Sequence, residues 1–155
     1  MDVEAIYLRH VDTVYRVCYS FMGNAADSED ATQSTFVKLM KARPTFTNEE
    51  HEKAWLIRVA SNHCKDVLKS SARKGVPLES VAEPAADERG PDLALDAVLA
   101  LDSKYKDVVY LHYYEGYSAA DIARMLGKPS STVRTHLREA RAILRKALGL
   151  SLIHI

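Results

Sequence analysis

The sequence predicts an all-α protein: two small helical domains joined by a flexible linker. Three observations carry this. Apolar residues recur at three- and four-residue intervals through the first seventy positions and again after position 92, the period of a helix with one buried face. No run sustains the two-residue alternation of a strand. Between the two periodic regions, 70–91 holds three of the five prolines (Pro77, Pro84 and Pro91) and two of the six glycines (Gly75 and Gly90). That stretch reads as an extended linker. The expected division is 1–70, linker 71–91, 92–149, and a short tail 150–155. Domains this small are marginal alone, so contacts with partners are expected.

The elements follow in order. Val3, Ile6, Tyr7, Val11, Val14, Val17, Cys18 and Phe21 line one face of a first helix, which Gly23 ends. Asn24 with Asp27 three residues later forms a capping arrangement, and Asp27, Glu29 and Asp30 suit the positive end of a second helix. That helix buries Ala31, Thr35, Phe36 and Leu39 and stops before Pro44. A loop over 44–48 leads to a third helix with an apolar stripe of Trp55, Leu56, Val59, Ala60, His63, Val67 and Leu68. After the linker, 92–101 forms a helix. Asp102 or Ser103 caps the next, which carries Tyr105, Val108, Val109 and His112 and ends at Gly116. Ser118 and Asp121 form a capping box for a short helix with Ala119, Ile122, Ala123 and Leu126 inward, closed by Gly127. Ser130 is expected to cap the last helix, which packs Val133, Leu137, Ala140 and Leu144 inward.

Composition bounds the function. The 155 residues carry 21 Lys+Arg and 21 Asp+Glu, a formal net charge of zero, which excludes a wholesale polycation. The charge is nonetheless segregated. Residues 128–149 hold six basic side chains and one acid, Glu139. The apolar runs fall short of the ~20 residues that cross a bilayer, so no membrane insertion is expected. The N-terminus lacks a basic-then-apolar signal segment, and two cysteines suit a reducing cytoplasm better than a disulfide scaffold. Adjacent His63 and Cys64 point about 100° apart on a helix and make no nucleophile pair. His51, His63 and Cys64 lack metal-ligand spacing. No glycine-rich phosphate loop, paired-carboxylate signature or HExxH run occurs. No catalytic residue, metal or cofactor is expected.

A short capped helix, a glycine turn and a longer helix make a helix-turn-helix. On the last helix Arg138, Arg141 and Arg145 follow Arg134 at offsets of four, seven and eleven, on one outward face. Ser130, Ser131, Thr132, Thr135 and His136 sit towards its N-terminal end. Short polar side chains suit base edges, and arginines suit phosphates or guanines. An ordinary solvated basic face is the plainer alternative. A stand-alone repressor would use the same motif but would need a dimer to read a two-fold site.

Three stretches resemble the extracytoplasmic-function (ECF) sigma factors, the minimal two-domain group of the sigma-70 family. Residues 23–36, GNAADSEDATQSTF, resemble the region 2 helix that docks on the clamp helices of the polymerase beta-prime subunit. Residues 54–68, AWLIRVASNHCKDVL, resemble the helix for the −10 promoter element. Residues 115–141, from EGYS onward, resemble the region 4 helix-turn-helix that reads the −35 element.

The resemblance implies a transcription initiation factor that brings core RNA polymerase to promoter DNA and helps to melt the −10 region. It implies polymerase contacts through the beta-prime clamp helices and the beta flap, an anti-sigma factor as a further candidate partner, and a cytoplasmic place of work. It assigns Asp30, Gln33 and Phe36 to the polymerase, with Phe36 equally readable as core. Phe46, Arg58, Asn62 and Lys65 fall to the −10 element, where exposed base edges of a melted strand need hydrogen bonds and stacking. Phe46 has two open readings, base stacking or plugging the core. Trp55, Val59 and Leu68 read as core, and Asp66 as a salt-bridge partner of Arg58 or Lys69. Ser130, Ser131, Thr132, Arg134, Thr135, Arg138 and Arg141 fall to the −35 element.

The linker acids Glu79, Glu83, Asp87 and Glu88 would avoid trapping nucleic acid, as would any plain polar tether. There are departures from the family pattern. The basic run after the −10 helix is thin (KSSARK), Ser131 stands where glycine is frequent, and His136 where arginine is. Residues 150–155 break the amphipathic pattern and match a reading-frame translation of a transposon end, so a non-native tail is expected.

Overall fold

The structure, a computed structural model, describes the backbone of residues 1–74 and 93–149. The prolines, glycines and acids expected to form the linker between them, and the expected tail 150–155, lie outside the described residues. The chain divides into two compact units, Met1–Pro84 and Ala85–Ile155. Among the described residues both are built from helices without strands.

In the first unit α1 (Val3–Met22), α2 (Ala25–Ala42) and α3 (Glu49–Lys74) pack pairwise. Asp2 caps α1 by accepting from the Ala5 amide, and Gly23 closes it at φ 79°, a left-handed conformation that suits a residue without Cβ. Asn24 then does what its spacing to Asp27 predicts. Its Oδ1 accepts from the Asp27 amide at 2.9 Å, and its Nδ2 donates to the Asp27 carboxylate at 3.0 Å. The buried side of α2 is small and hydroxylated. Ser28, Thr32 and Thr35 satisfy their hydroxyls on carbonyls one turn back, at 2.5, 2.7 and 2.9 Å, so they enter the core without an orphaned donor.

The core of this unit comprises Val14, Val17 and Cys18 of α1, Leu39 of α2, and Leu56, Ile57, Ala60 and Cys64 of α3. Each large aliphatic side chain removed from water there contributes about 1.5–3 kcal/mol. Two corrections arise. The buried side of α3 centres between Leu56/Ala60 and Ile57/Cys64, because α1 and α2 approach it together; Trp55, Val59, His63, Val67 and Leu68 lie half-buried on its flank. Tyr7 is 43% exposed, whereas His10 is buried. In addition, α3 runs to Lys74, past the expected boundary at residue 70.

The second unit begins with α4 (Leu93–Leu99), which ends two residues before the expected end at residue 101, and α5 (Ser103–Val109), capped by Asp102. A widened π-helical turn, Tyr110–Tyr114, follows. In an uninterrupted α-helix the inward stripe would continue at His112. With the wider turn, Leu111 is fully buried, and His112 is half-exposed with Nδ1 2.8 Å from the Tyr117 carbonyl. Then come α6 (Ala119–Leu126) and α7 (Ser130–Ala147), separated by Gly127 at φ 69°.

Ser118 caps α6 by accepting from the Asp121 amide at 3.1 Å. The Asp121 carboxylate turns to Arg124 instead of completing the box. Pro129 and not Ser130 holds the N-cap position of α7. The Pro129 carbonyl accepts from the Thr132 and Val133 amides, no side chain caps this end, and Ser130 is the first helical residue. Val133, Leu137, Ala140 and Leu144 are all buried, as the period predicts.

Candidate nucleic-acid interface

With Val133, Leu137, Ala140 and Leu144 facing inward, the opposite side of α7 is set by helix geometry. Ser131, Arg134, Arg138, Arg145 and Lys146 are exposed there, while Ser130, Thr132, Thr135 and Arg141 are half-exposed. All the −35 candidates therefore reach the surface of one helix. Its single acid does not neutralise them freely, because the Tyr105 hydroxyl donates to the Glu139 carboxylate at 2.9 Å. That bond and burial hold the Tyr105 phenol above its ordinary pKa. His136 departs from the outward set. Its ring lies edge-on to Tyr105 at 5.6 Å, and its buried Nδ1 has no hydrogen-bond partner. Burial, then the Lys128 charge, lowers its pKa.

On α3, Arg58 and Asn62 are exposed and Lys65 half-exposed, one turn apart on the side away from the core. The preceding loop is ordered by local hydrogen bonds. Asn48 Oδ1 accepts from the His51 amide at 2.8 Å, capping α3, and His51 Nδ1 accepts from the Thr47 amide at 3.1 Å. Phe46 lies half-buried between His51 and Trp55, edge-on to both rings at 5.2 and 5.9 Å. It thus takes neither a core position nor a fully exposed one.

Behind Phe46 is a cavity of about 460 Å³ lined by Ile6, Arg9, Arg43, Pro44 and Glu52 among others. Its wall is held by an ion network. The Glu52 carboxylate accepts from Arg9 Nε and Nη2 at 3.1 and 2.9 Å and lies 3.0 Å from His10 Nε2. The lining carries both signs of charge, Arg9 and Arg43 with Asp2 and Glu52.

On α2, Asp30 and Gln33 are exposed a turn apart, and Val37 and Met40 continue the same stripe at 40% and 48% exposure. Phe36 is a correction to the surface assignment. It is 5% exposed and packs edge-on to Tyr7 at 4.9 Å, so it joins α1 to α2 and is not presented to a partner. The ion network, the Thr47–His51 clamp and Tyr113, whose hydroxyl meets Arg141, went unnoticed in the sequence. Only Asn48, three residues before His51, left a readable capping signal. Among the described residues no group of three or more His, Cys, Asp or Glu could hold a metal ion, and no helix is long and apolar enough to cross a membrane.

Comparison with known proteins gives this geometry a context. Residues 6–74 match the sigma-70 region 2 family model, and residues 92–144 match sigma-70, region 4. The chain is similar to the ECF RNA polymerase sigma factor BldN of Streptomyces coelicolor, with 32% identity over 90% of this chain and 58% of that protein. It is similar to SigE of Mycolicibacterium smegmatis, with 31% identity over 94% of this chain and 61% of that protein. SigW of Bacillus subtilis is 27% identical over 95% of this chain and 87% of its own length. The chain thus spans about three-fifths of the first two relatives. In fold it resembles the sigma factor RpoE solved with the anti-sigma factor NepR from Bartonella quintana. The TM-score is 0.77 at 24% identity, covering 97% and 98% of the two chains. It also resembles CnrH solved with the cytosolic domain of CnrY, at TM-score 0.66 and 24% identity over 95% and 87%. With region 2 and region 4 matched in order on one chain, this protein belongs to the sigma-70 family, among its extracytoplasmic-function members.

Proposed function

We propose that this protein is a non-catalytic transcription initiation factor that binds core RNA polymerase and directs it to specific promoters, working in the cytoplasm. The observation that carries the reading is the joint presence of region 2 and region 4, the latter presenting a basic outer face on the helix after a capped turn. In this reading residues 1–74 take the polymerase and the −10 element, and residues 92–149 take the −35 element. Asp30 and Gln33, flanked by the exposed apolar Val37 and Met40, supply the contact with the beta-prime clamp helices. The second unit takes the beta flap. Arg58, Asn62 and Lys65 follow the melted −10 strand, and the Phe46 edge receives a base whose unstacking costs a few kcal/mol. The outer face of α7 meets the −35 duplex, with Arg134 and Arg138 towards base edges. An anti-sigma factor is the further partner proposed, since a sigma factor of similar fold was solved with one.

The test is to add the purified chain to core RNA polymerase, confirm a complex by gel filtration, and map the 5′ ends of transcripts made from genomic fragments. New start sites that depend on the chain and share two upstream elements are expected. Tight, sequence-specific binding by a dimer of the chain alone, without new starts, would overturn the reading in favour of a repressor.

A further inference from the structure

The widened turn between α5 and α6 brings Tyr113 onto the recognition helix. The Tyr113 hydroxyl oxygen accepts from Arg141 Nε at 3.3 Å and Nη2 at 3.1 Å. A fork on a single acceptor fixes the guanidinium plane and removes the rotamer freedom of a long side chain. It also leaves two unused donor groups. The phenol O–H must point away from the arginine whose hydrogens its oxygen receives. The Arg141 Nη1, with two N–H groups, has no partner among the described residues. Tyr113 is 38% exposed and Arg141 half-exposed, so both groups of donors open to solvent. The nearest acid on the helix, Glu139, is engaged by Tyr105. Arg141 lies two turns C-terminal to Arg134, beyond the N-terminal end that a recognition helix directs at base edges.

We propose that Tyr113 and Arg141 form a clamp for one backbone phosphate of the −35 duplex, with Tyr113 both positioning the arginine and donating its own O–H to the phosphate. Arg141 then anchors the helix and reads no base. The inference rests on the promoter-binding reading above and deepens it. The clamp anchors the helix to the backbone without reading sequence, because phosphate contacts position and base contacts specify.

The test uses holoenzyme reconstituted from the full chain and core polymerase, with promoter duplexes carrying single methylphosphonate substitutions through the −35 element. Tyr113→Phe keeps the ring and removes the hydroxyl. Its affinity should fall about tenfold, equally on all −35 sequences, as for a lost hydrogen bond to a charged group. One methylphosphonate position should weaken the wild type by at least this factor and weaken Tyr113→Phe by clearly less. Arg141→Ala should lower the salt slope by about one, as for a lost phosphate contact. Adding Tyr113→Phe to Arg141→Ala should cost less than Tyr113→Phe alone, because the two act together.

Loss of preference at one base pair in either variant would overturn the clamp, as would methylphosphonate profiles that are identical for Tyr113→Phe and wild type. Failure of the wild-type chain to direct initiation would instead remove the underlying reading. The outcomes are separable because the wild type is assayed first.

Discussion

Glu52→Ala is expected to destabilise the first unit by about 2–3 kcal/mol, a figure set by what the carboxylate holds. Glu52 receives three Arg9 contacts of 2.9–3.1 Å and stands 3.0 Å from His10 Nε2. Breaking a buried ion pair by removing one partner costs about 3–5 kcal/mol. Here the Arg9 side chain is 35% exposed, so it can turn to water and its share is screened. The His10 side chain is 9% exposed and cannot turn out, so the loss falls mainly on an unsatisfied buried imidazole, about 1–3 kcal/mol. For a unit of this size the thermal midpoint should drop by about 13–19 °C.

The assay is fluorescence of Trp55, the single tryptophan. It lies in α3 and follows the first unit alone. Glu52→Gln, which keeps the size and one acceptor, should lose less. A loss below about 0.5 kcal/mol for Glu52→Ala, the range of an unimportant surface substitution, would refute the reasoning.

Other expectations are narrower. Arg134→Ala or Arg138→Ala should cost about 1–3 kcal/mol in holoenzyme binding to promoter and relax preference at one base pair, read by competition among −35 variants. Asp30→Ala with Gln33→Ala should weaken capture of core polymerase while far-UV circular dichroism stays unchanged, since both side chains are exposed. Burial lowers the His136 pKa below the ordinary imidazole value of 6.5, with the Lys128 charge second. The folded unit therefore resists protonation of this ring, and stability is lost as pH falls from 6.5 through the lower folded-state pKa. The second unit should melt lower in mildly acidic buffer than at neutral pH, and His136→Gln should flatten the difference.

What was legible in the sequence follows from what has a short-range cause. The buried residues of α6 and α7 obey a period that one packing face imposes, and they were read correctly. The Asn24 and Ser118 caps are decided within three residues, and both form as their spacing predicts. The errors lie where distant residues decide. The rotation of α3 depends on two neighbours approaching it together, and neither approach is encoded in the spacing of α3. Trp55 was therefore placed in the core and is found on its flank. His10 looked polar in isolation, and only a partner 42 positions away makes it a core residue. The π-helical turn has no periodic signature, so neither the outward shift of His112 nor the meeting of Tyr113 with Arg141 could be read. Of the candidate sites, exposure on α2, α3 and α7 was legible from the helical period. The burial of Phe36 was legible from the same period; its assignment to the polymerase came from the resemblance alone, and the ring packs on Tyr7.

In the proposed reading, the basic face of α7 accounts for the need for a partner. Five cations on one helix, with the lone acid engaged by Tyr105, give a positive surface inside a protein of zero formal charge. Contacts with a few phosphates supply non-specific affinities of about 10⁻⁴–10⁻⁶ M at physiological salt, and each good base contact adds only about 1–3 kcal/mol. One small unit with few base contacts therefore gains from further contacts made elsewhere on the same chain. Placing a second nucleic-acid surface on the same chain converts the second contact into an intramolecular one, and docking on polymerase adds a third at similar advantage. Low affinity in each part then becomes useful. In the proposed reading, the chain by itself should occupy DNA weakly, and promoter specificity should appear only when all contacts are made together.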